Sequence, residues 1–208
     1  MDPGAFLAAL FLVHLGAVAT PGPNTLLVTN IAAAGQRRAA LWAAVGTGAG
    51  ALVWIVATLG GASALFVAFP RLAAALRWAG GGYLIFLGGQ ALWSAWRSRR
   101  ANGAPAVFAP NSAAAAFRRG LVTNLSNPKS LAYYLSLLVA SAAPAAPLWV
   151  RLAGGAGMAA ISLIWYVFLA WTFSRAPVQR AYRRVQPLIA GGTGLLMIGF
   201  GLALIFAL

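Results

Sequence analysis

Two short polar interruptions carry most of the chemistry in this chain: Thr20-Pro21-Gly22-Pro23-Asn24 and, far downstream, Asn124-Leu125-Ser126-Asn127-Pro128-Lys129. A proline within a helix lacks an N–H, so the carbonyl four residues earlier loses its partner. Pro21 would free the carbonyl of Ala17, Pro23 that of Ala19 and Pro128 that of Asn124, and each could accept from an ammonium group. Proline is equally favoured as the first residue of a new helix, after Gly or Asn at the cap. Gly22-Pro23 and Asn127-Pro128 therefore read as helix restarts. A restart presents free N–H groups and a positive partial charge, which suit a carboxylate. The substrate-binding candidates are Thr20, Pro21, Gly22, Pro23, Asn24, Thr25, Asn124, Ser126, Asn127, Pro128 and Lys129. Together they offer a partner to each end of a zwitterion. Prolines that only kink helices for packing are the plainer alternative.

Lys129 is the one basic residue well inside an apolar run. Eleven residues beyond Arg118, it would lie about 16 Å deeper at helical rise, near a bilayer midplane. A charge there costs about 2.5–3.5 kcal/mol on insertion scales and normally faces a polar interior. Lys129 could bind a carboxylate or lose a proton during a cycle; snorkelling to the interface is the alternative. His14 is the single histidine and the one side chain whose unperturbed pKa lies near neutrality. His14 and Lys129 are the candidates for coupling to protons, although a lone histidine on an apolar helix is commonly a hydrogen-bonded packing residue. No catalytic residue and no metal ligand set is expected.

These residues sit in a membrane chain. Of 208 residues, 62% are hydrophobic and 8% charged, against about 25% charged in a soluble domain. Several runs reach the roughly 20 apolar residues that cross a bilayer. The formal charge of +14 is spread as pairs and trios at the ends of apolar runs, not gathered in a basic arm. That pattern sets membrane orientation and argues against nucleic acid as a partner. No cysteine is present, so disulfides and thiolate metal sites are excluded. The start, Met1-Asp2-Pro3-Gly4, has no basic n-region, so the first run reads as a permanent span.

Hydropathy suggests six spans, near 5–34, 40–69, 72–96, 115–142, 148–173 and 187–208. The expected fold is an all-α integral membrane protein of six transmembrane helices. They would form two inverted three-helix repeats, with helices one and four broken near the midplane. Residues 1–96 would be the first repeat, 97–114 a cytoplasmic linker and 115–208 the second repeat. The loops after spans one, three and five hold eleven arginines against three on the other side. By the positive-inside rule those loops are cytoplasmic and both termini periplasmic. Internal similarity supports the repeat: Pro23-Asn24-Thr25-Leu26 parallels Pro128-Lys129-Ser130-Leu131, and Gly81-Gly82 parallels Gly191-Gly192. Gly46-Thr47-Gly48-Ala49-Gly50 has a small-xxx-small spacing, expected to serve internal packing. Tyr133, Tyr134, Trp165 and Tyr166 could line a cavity, but packing or interfacial roles are expected for most of them.

Three segments, 16–24 (GAVATPGPN), 81–88 (GGYLIFLG) and 120–129 (GLVTNLSNPK), resemble the LysE/RhtB family of bacterial amino-acid exporters. The resemblance covers nearly the whole chain, including the six spans and the linker. It implies an inner-membrane, multi-pass secondary transporter that exports amino acids or close derivatives, driven by the proton-motive force. Some relatives carry an acidic residue near the stretch that here reads Gly48-Ala49-Gly50-Ala51, so a carboxylate mechanism does not carry over.

Asp2 is the only acidic residue. One His and one terminal Asp do not furnish an embedded hydrolase, which needs acids, bases or metal ligands in a cluster. Nor do they supply the clustered ligands of a metal-ion exporter. A second substrate cation, as in lysine or arginine, would meet no side-chain anion, so a neutral amino acid or small derivative is expected. The expected partners are that amino acid, protons and the lipid bilayer; a homo-oligomer is open, and no cofactor is expected. A passive channel, or an exporter of a different small solute, is the alternative.

Overall fold

The computed structural model describes residues 2–59, 110, 112–140 and 147–206, and between them 71, 75, 78, 81–82, 85–86, 88–89, 92–93 and 95–96. Among the described residues every element is helical. Helix α1 (Pro3–Ala19) starts where a cap is available: the Asp2 carboxylate accepts from the Ala5 N–H at 2.9 Å, and Pro3 fills the first position. It stops at Thr20, whose N–H bonds the Gly16 carbonyl at 3.0 Å. Pro21 and Gly22 are not helical, and α2 (Pro23–Ala33) restarts at an angle of 56° to α1.

Helix α2 ends in a Schellman motif. The Gly35 N–H bonds the Ala32 carbonyl at 3.0 Å, and the Gln36 N–H bonds that of Ile31 at 3.3 Å. Gly35 has φ +85°, the left-handed conformation this closure needs and glycine adopts without penalty. The chain then enters α3 (Arg37–Leu59). Helix α4 (Ala113–Leu125) is capped by Ser112, whose Oγ accepts from the Ala115 N–H at 3.1 Å. A second break at Ser126-Asn127 leads into α5 (Pro128–Ala140). Helices α6 (Leu148–Phe173) and α7 (Ala176–Phe206) complete the chain.

Glycines bring α3 and α4 into backbone contact. A Cβ on Gly46 would stand 2.0 Å from the Phe117 carbonyl oxygen, and one on Gly120 2.0 Å from that of Ala43. Neither position has room for any side chain, so the small-residue spacing in α3 serves internal packing, as expected. Gly88 and Gly194 meet in the same reciprocal way, a Cβ on either lying 2.5 or 2.7 Å from the other's carbonyl oxygen. Of the matched glycine pairs, Gly81 packs closely, a Cβ there lying 2.7 Å from the Gly201 carbonyl oxygen, whereas Gly82 and Gly192 face open space. A core of Val28 and Ile31 from α2, Ala40, Ala43 and Ala44 from α3, and Tyr166, Leu169 and Ala170 from α6 closes the other side.

The surface is apolar and the interior holds polar groups. Leu12, Val13, Val56, Leu152, Ile164 and Phe168 are exposed, while His14, Asn24, Thr47, Asn124, Asn127 and Ser162 are buried. That distribution fits a chain solvated by lipid. Helices α3 and α6 are each long and apolar enough to cross a membrane, and α1 with α2 reaches that length and apolarity as a bent pair. The last helix starts at Ala176, earlier than the expected 187, so Arg180, Arg183 and Arg184 lie on a helix instead of a loop. Pro177 does not prevent this, because a first-turn proline lacks only an N–H that would be unbonded anyway. Residues 60–69 of the expected second span, parts of the expected third, residues 141–142 of the expected fourth and most of the expected linker lie outside the described residues.

Candidate functional site

The two breaks open onto one cavity. Its lining includes Gly22, Asn24 and Thr25 from the first break and Asn124, Asn127, Lys129 and Ser130 from the second. His14, Ala17 and Val18 of α1, Ala51 of α3, Tyr133 and Tyr134 of α5, and Ser162 and Tyr166 of α6 complete it. The cavity volume is about 30 Å³. That is room for about two waters, far below the roughly 300–1,000 Å³ of small-molecule pockets. A ligand enters only if the lining moves apart.

Each break presents a different group. At the second, Asn127 caps α5: its Oδ1 accepts from the Lys129 N–H at 3.0 Å and its carbonyl accepts from the Leu131 N–H at 2.9 Å. At the first, the cap is Gly22, which has no side chain to offer the leading amides of α2. Thus α2, more than α5, keeps an N-terminus suited to an anion. Gly22 is extended, with φ −173°, a conformation open to any residue. What its position requires is space, since a Cβ there would lie 3.3 Å from Cδ of Lys129.

The Lys129 amine donates to the Thr20 carbonyl, so the second break reaches across to the end of α1. In an unbroken helix that carbonyl would accept from the amide of Asn24. Of the carbonyls expected to be freed, Asn124 O accepts from the Asn127 N–H at 3.1 Å, and Thr20 O joins them as an acceptor because the chain breaks there.

The buried polar side chains form two sets. His14, fully buried, is held by Tyr133 OH at 2.9 Å on Nδ1, and by Met158 O at 3.0 Å and Ser162 Oγ at 2.9 Å on Nε2. A carbonyl only accepts, so Nε2 carries the hydrogen, and in the neutral ring Nδ1 accepts from Tyr133. Asn24 donates weakly to Tyr166 OH at 3.3 Å and Ser130 Oγ at 3.4 Å. Its Oδ1, like that of Asn124, is buried without a hydrogen-bond partner among the described residues. A buried acceptor left unmade costs about 1–3 kcal/mol, so a donor entering the cavity, water or ligand, would be favoured at both.

Most of the expected residues converge here. Gly22, Asn24, Thr25, Asn124, Asn127, Lys129 and His14 line the cavity, and Thr20 contributes its carbonyl. Ser126 does not: it is exposed and its Oγ donates to the Val122 carbonyl at 2.6 Å, because the break turns its side chain back onto α4. Pro21 and Pro23 shape the first break without lining the cavity. The aromatic residues correct the plain expectation, for Tyr133, Tyr134 and Tyr166 face the cavity and Trp165 does not. Ser162 was not anticipated: one serine in an apolar helix carries no sequence signal, and its role comes from lying against His14.

The sequence model of the LysE type translocator matches residues 15–208. The chain is 30% identical to the threonine efflux protein of Salmonella typhi over 203 residues, covering 94% of this chain and 95% of that protein. It is 34% identical to the leucine efflux protein of Enterobacter sp. (strain 638) over 191 residues, covering 88% and 87%. It is also 32% identical to the uncharacterized membrane protein YahN of Escherichia coli (strain K12), covering 89% and 82%. No solved structure matches the chain.

Proposed function

The chain belongs to the LysE type translocator family, a family of transporters and not enzymes, and on that premise we propose that it exports a neutral amino acid or small amino-acid derivative. Transport runs across the bacterial inner membrane by proton-coupled alternating access. The observation that carries the substrate class is the cavity shared by the two breaks, where Asn24, Asn124 and Lys129 meet around the end of α1. Acceptors for an ammonium and donors for a carboxylate lie together there. No acidic side chain is available for a second cation, because Asp2 caps α1. The relatives named for threonine and leucine efflux favour the same class of cargo.

In this reading residues 1–96 and 115–208 are inverted repeats joined by a cytoplasmic linker, and both termini are periplasmic. Two helices broken at Pro-containing sites, each followed by a long apolar helix, support it. His14 is the coupling candidate.

Counterflow in proteoliposomes with labelled threonine, homoserine, leucine and lysine tests the proposal. Saturable exchange of a neutral amino acid is the expected result. Robust exchange of lysine alone would remove the neutral-cargo reading, and exchange of none of the four would remove the amino-acid exporter.

A further inference from the structure

The space between the breaks is occupied by one of its own side chains. Lys129, the only lysine in the chain, extends from the start of α5 across the cavity to the Thr20 carbonyl. Its side chain passes Gly22, the position where a Cβ would crowd Cδ at 3.3 Å and Nζ at 3.7 Å. Lining the same cavity are Asn24 and Asn124, whose buried Oδ1 atoms have no partner among the described residues. Asn24 and Asn124 line the cavity with one unmet acceptor each, Thr20 O is the acceptor that Lys129 reaches, and a primary ammonium has three N–H donors. Lys129 meets one of the three.

We propose that Lys129 is a built-in stand-in for the ammonium group of the substrate. The proposal rests on the preceding reading of this cavity as the amino-acid site. Without cargo, the lysine amine takes the Thr20 carbonyl and its stem fills the space a ligand would use. An arriving amino acid draws the lysine aside with its carboxylate. Its own ammonium then takes Thr20 O and supplies the donors that Asn24 and Asn124 lack.

Two consequences follow. The end of α1 is never left bare, so the unloaded protein closes as the loaded one does and can return across the membrane without cargo. The carboxylate is also the part of the ligand that moves Lys129. Amines that lack it, such as amino-acid esters, cannot displace the lysine effectively, so cargo is restricted to zwitterions.

A single lysine makes the test direct. Protein labelled with 13C at lysine Cε gives one side-chain signal in nanodiscs. L-threonine is expected to shift it saturably, with the midpoint of threonine exchange, and threonine methyl ester to leave it in place at the same concentration. In proteoliposomes without a pH gradient, Lys129→Ala should slow threonine exchange and raise its KM. Its net efflux into threonine-free buffer should fall at least tenfold further than exchange does, and propylamine should restore the difference by occupying the Thr20 carbonyl.

A lysine signal unmoved in a preparation that exchanges threonine would overturn the proposal, and because it is read on the wild-type chain the stability of the variant does not enter. Parallel loss of exchange and net efflux in a folded variant, without rescue by the amine, would also overturn it and leave Lys129 as a binding residue only. A wild-type protein that exchanges threonine but not its ester, with a moving lysine signal, supports it. If the wild type exchanges no amino acid at all, the substrate reading itself fails, and this proposal with it.

Discussion

At the scale of single residues, a chain with one acidic residue leaves His14 and Lys129 as the candidates for coupling to protons. His14 is held on both ring nitrogens, so its tautomer is set by the Met158 carbonyl, and protonation of Nδ1 would force the Tyr133 hydroxyl to turn from donor to acceptor. A proton arriving at His14 is thereby felt by a residue of α5, the helix that carries Lys129. His14→Gln is expected to retain threonine exchange while losing accumulation driven by an imposed pH gradient in proteoliposomes; undiminished accumulation would remove His14 from coupling. Tyr133→Phe leaves Nδ1 without its donor and should cost about 1–3 kcal/mol, read as a lower unfolding temperature in detergent. The presence of these residues was legible from their rarity. Their partners lie more than a hundred positions away in the chain, and no local pattern announces them.

At the scale of elements, the decisive feature is that the broken helices are placed by close backbone packing against α3. Asn124 reaches the cavity because Gly50 of α3 yields it room: a Cβ there would stand 2.7 Å from Asn124 Cβ and 3.1 Å from its Oδ1. Gly50→Ala is therefore expected to displace Asn124 and reduce transport by about tenfold or more, a loss of about 1.4 kcal/mol in binding terms. Protein level should stay near that of the wild type, and an unchanged KM for threonine would count against the placement of Asn124. Gly120→Ala acts differently. Its Cβ would meet the Ala43 carbonyl oxygen at 2.0 Å, a backbone group that cannot swing away. Overpacking of that kind costs about 1–3 kcal/mol or more, and thermal unfolding in detergent should show it. A further tie joins α3 and α6: Arg151 donates to the Leu59 carbonyl.

At the scale of the whole molecule, the exterior is set by lipid and the interior by the groups that must avoid it. Exposed Leu12, Val13, Val56, Ile164 and Phe168 would be a liability in water and are appropriate in a bilayer. Since the chain has no cysteine, its orientation can be read one introduced thiol at a time. Ala5→Cys, exposed near the start of α1, should react with an impermeant maleimide added outside spheroplasts. Ala34→Cys, exposed at the turn between α2 and α3, should react only after permeabilisation. The opposite pattern would reverse the orientation drawn from the arginines.

The sequence by itself determined the solvent, the positions of both helix breaks and the chemical character of what surrounds them. Apolar run length, proline and the scarcity of charge are local properties, and they act on the backbone wherever the chain goes. Gly22-Pro23 and Asn127-Pro128 restart helices because of what proline lacks, independent of any neighbour. Only the tertiary structure decided which groups meet. It brought Lys129 to Thr20 O and turned Ser126 away. It also set three tyrosines and Ser162 against the cavity. Those outcomes depend on how closely helices approach, and the approach is governed by glycines whose neighbours are distant in sequence. A pattern can say that a side chain is small, but only the packed fold says what is pressed against it.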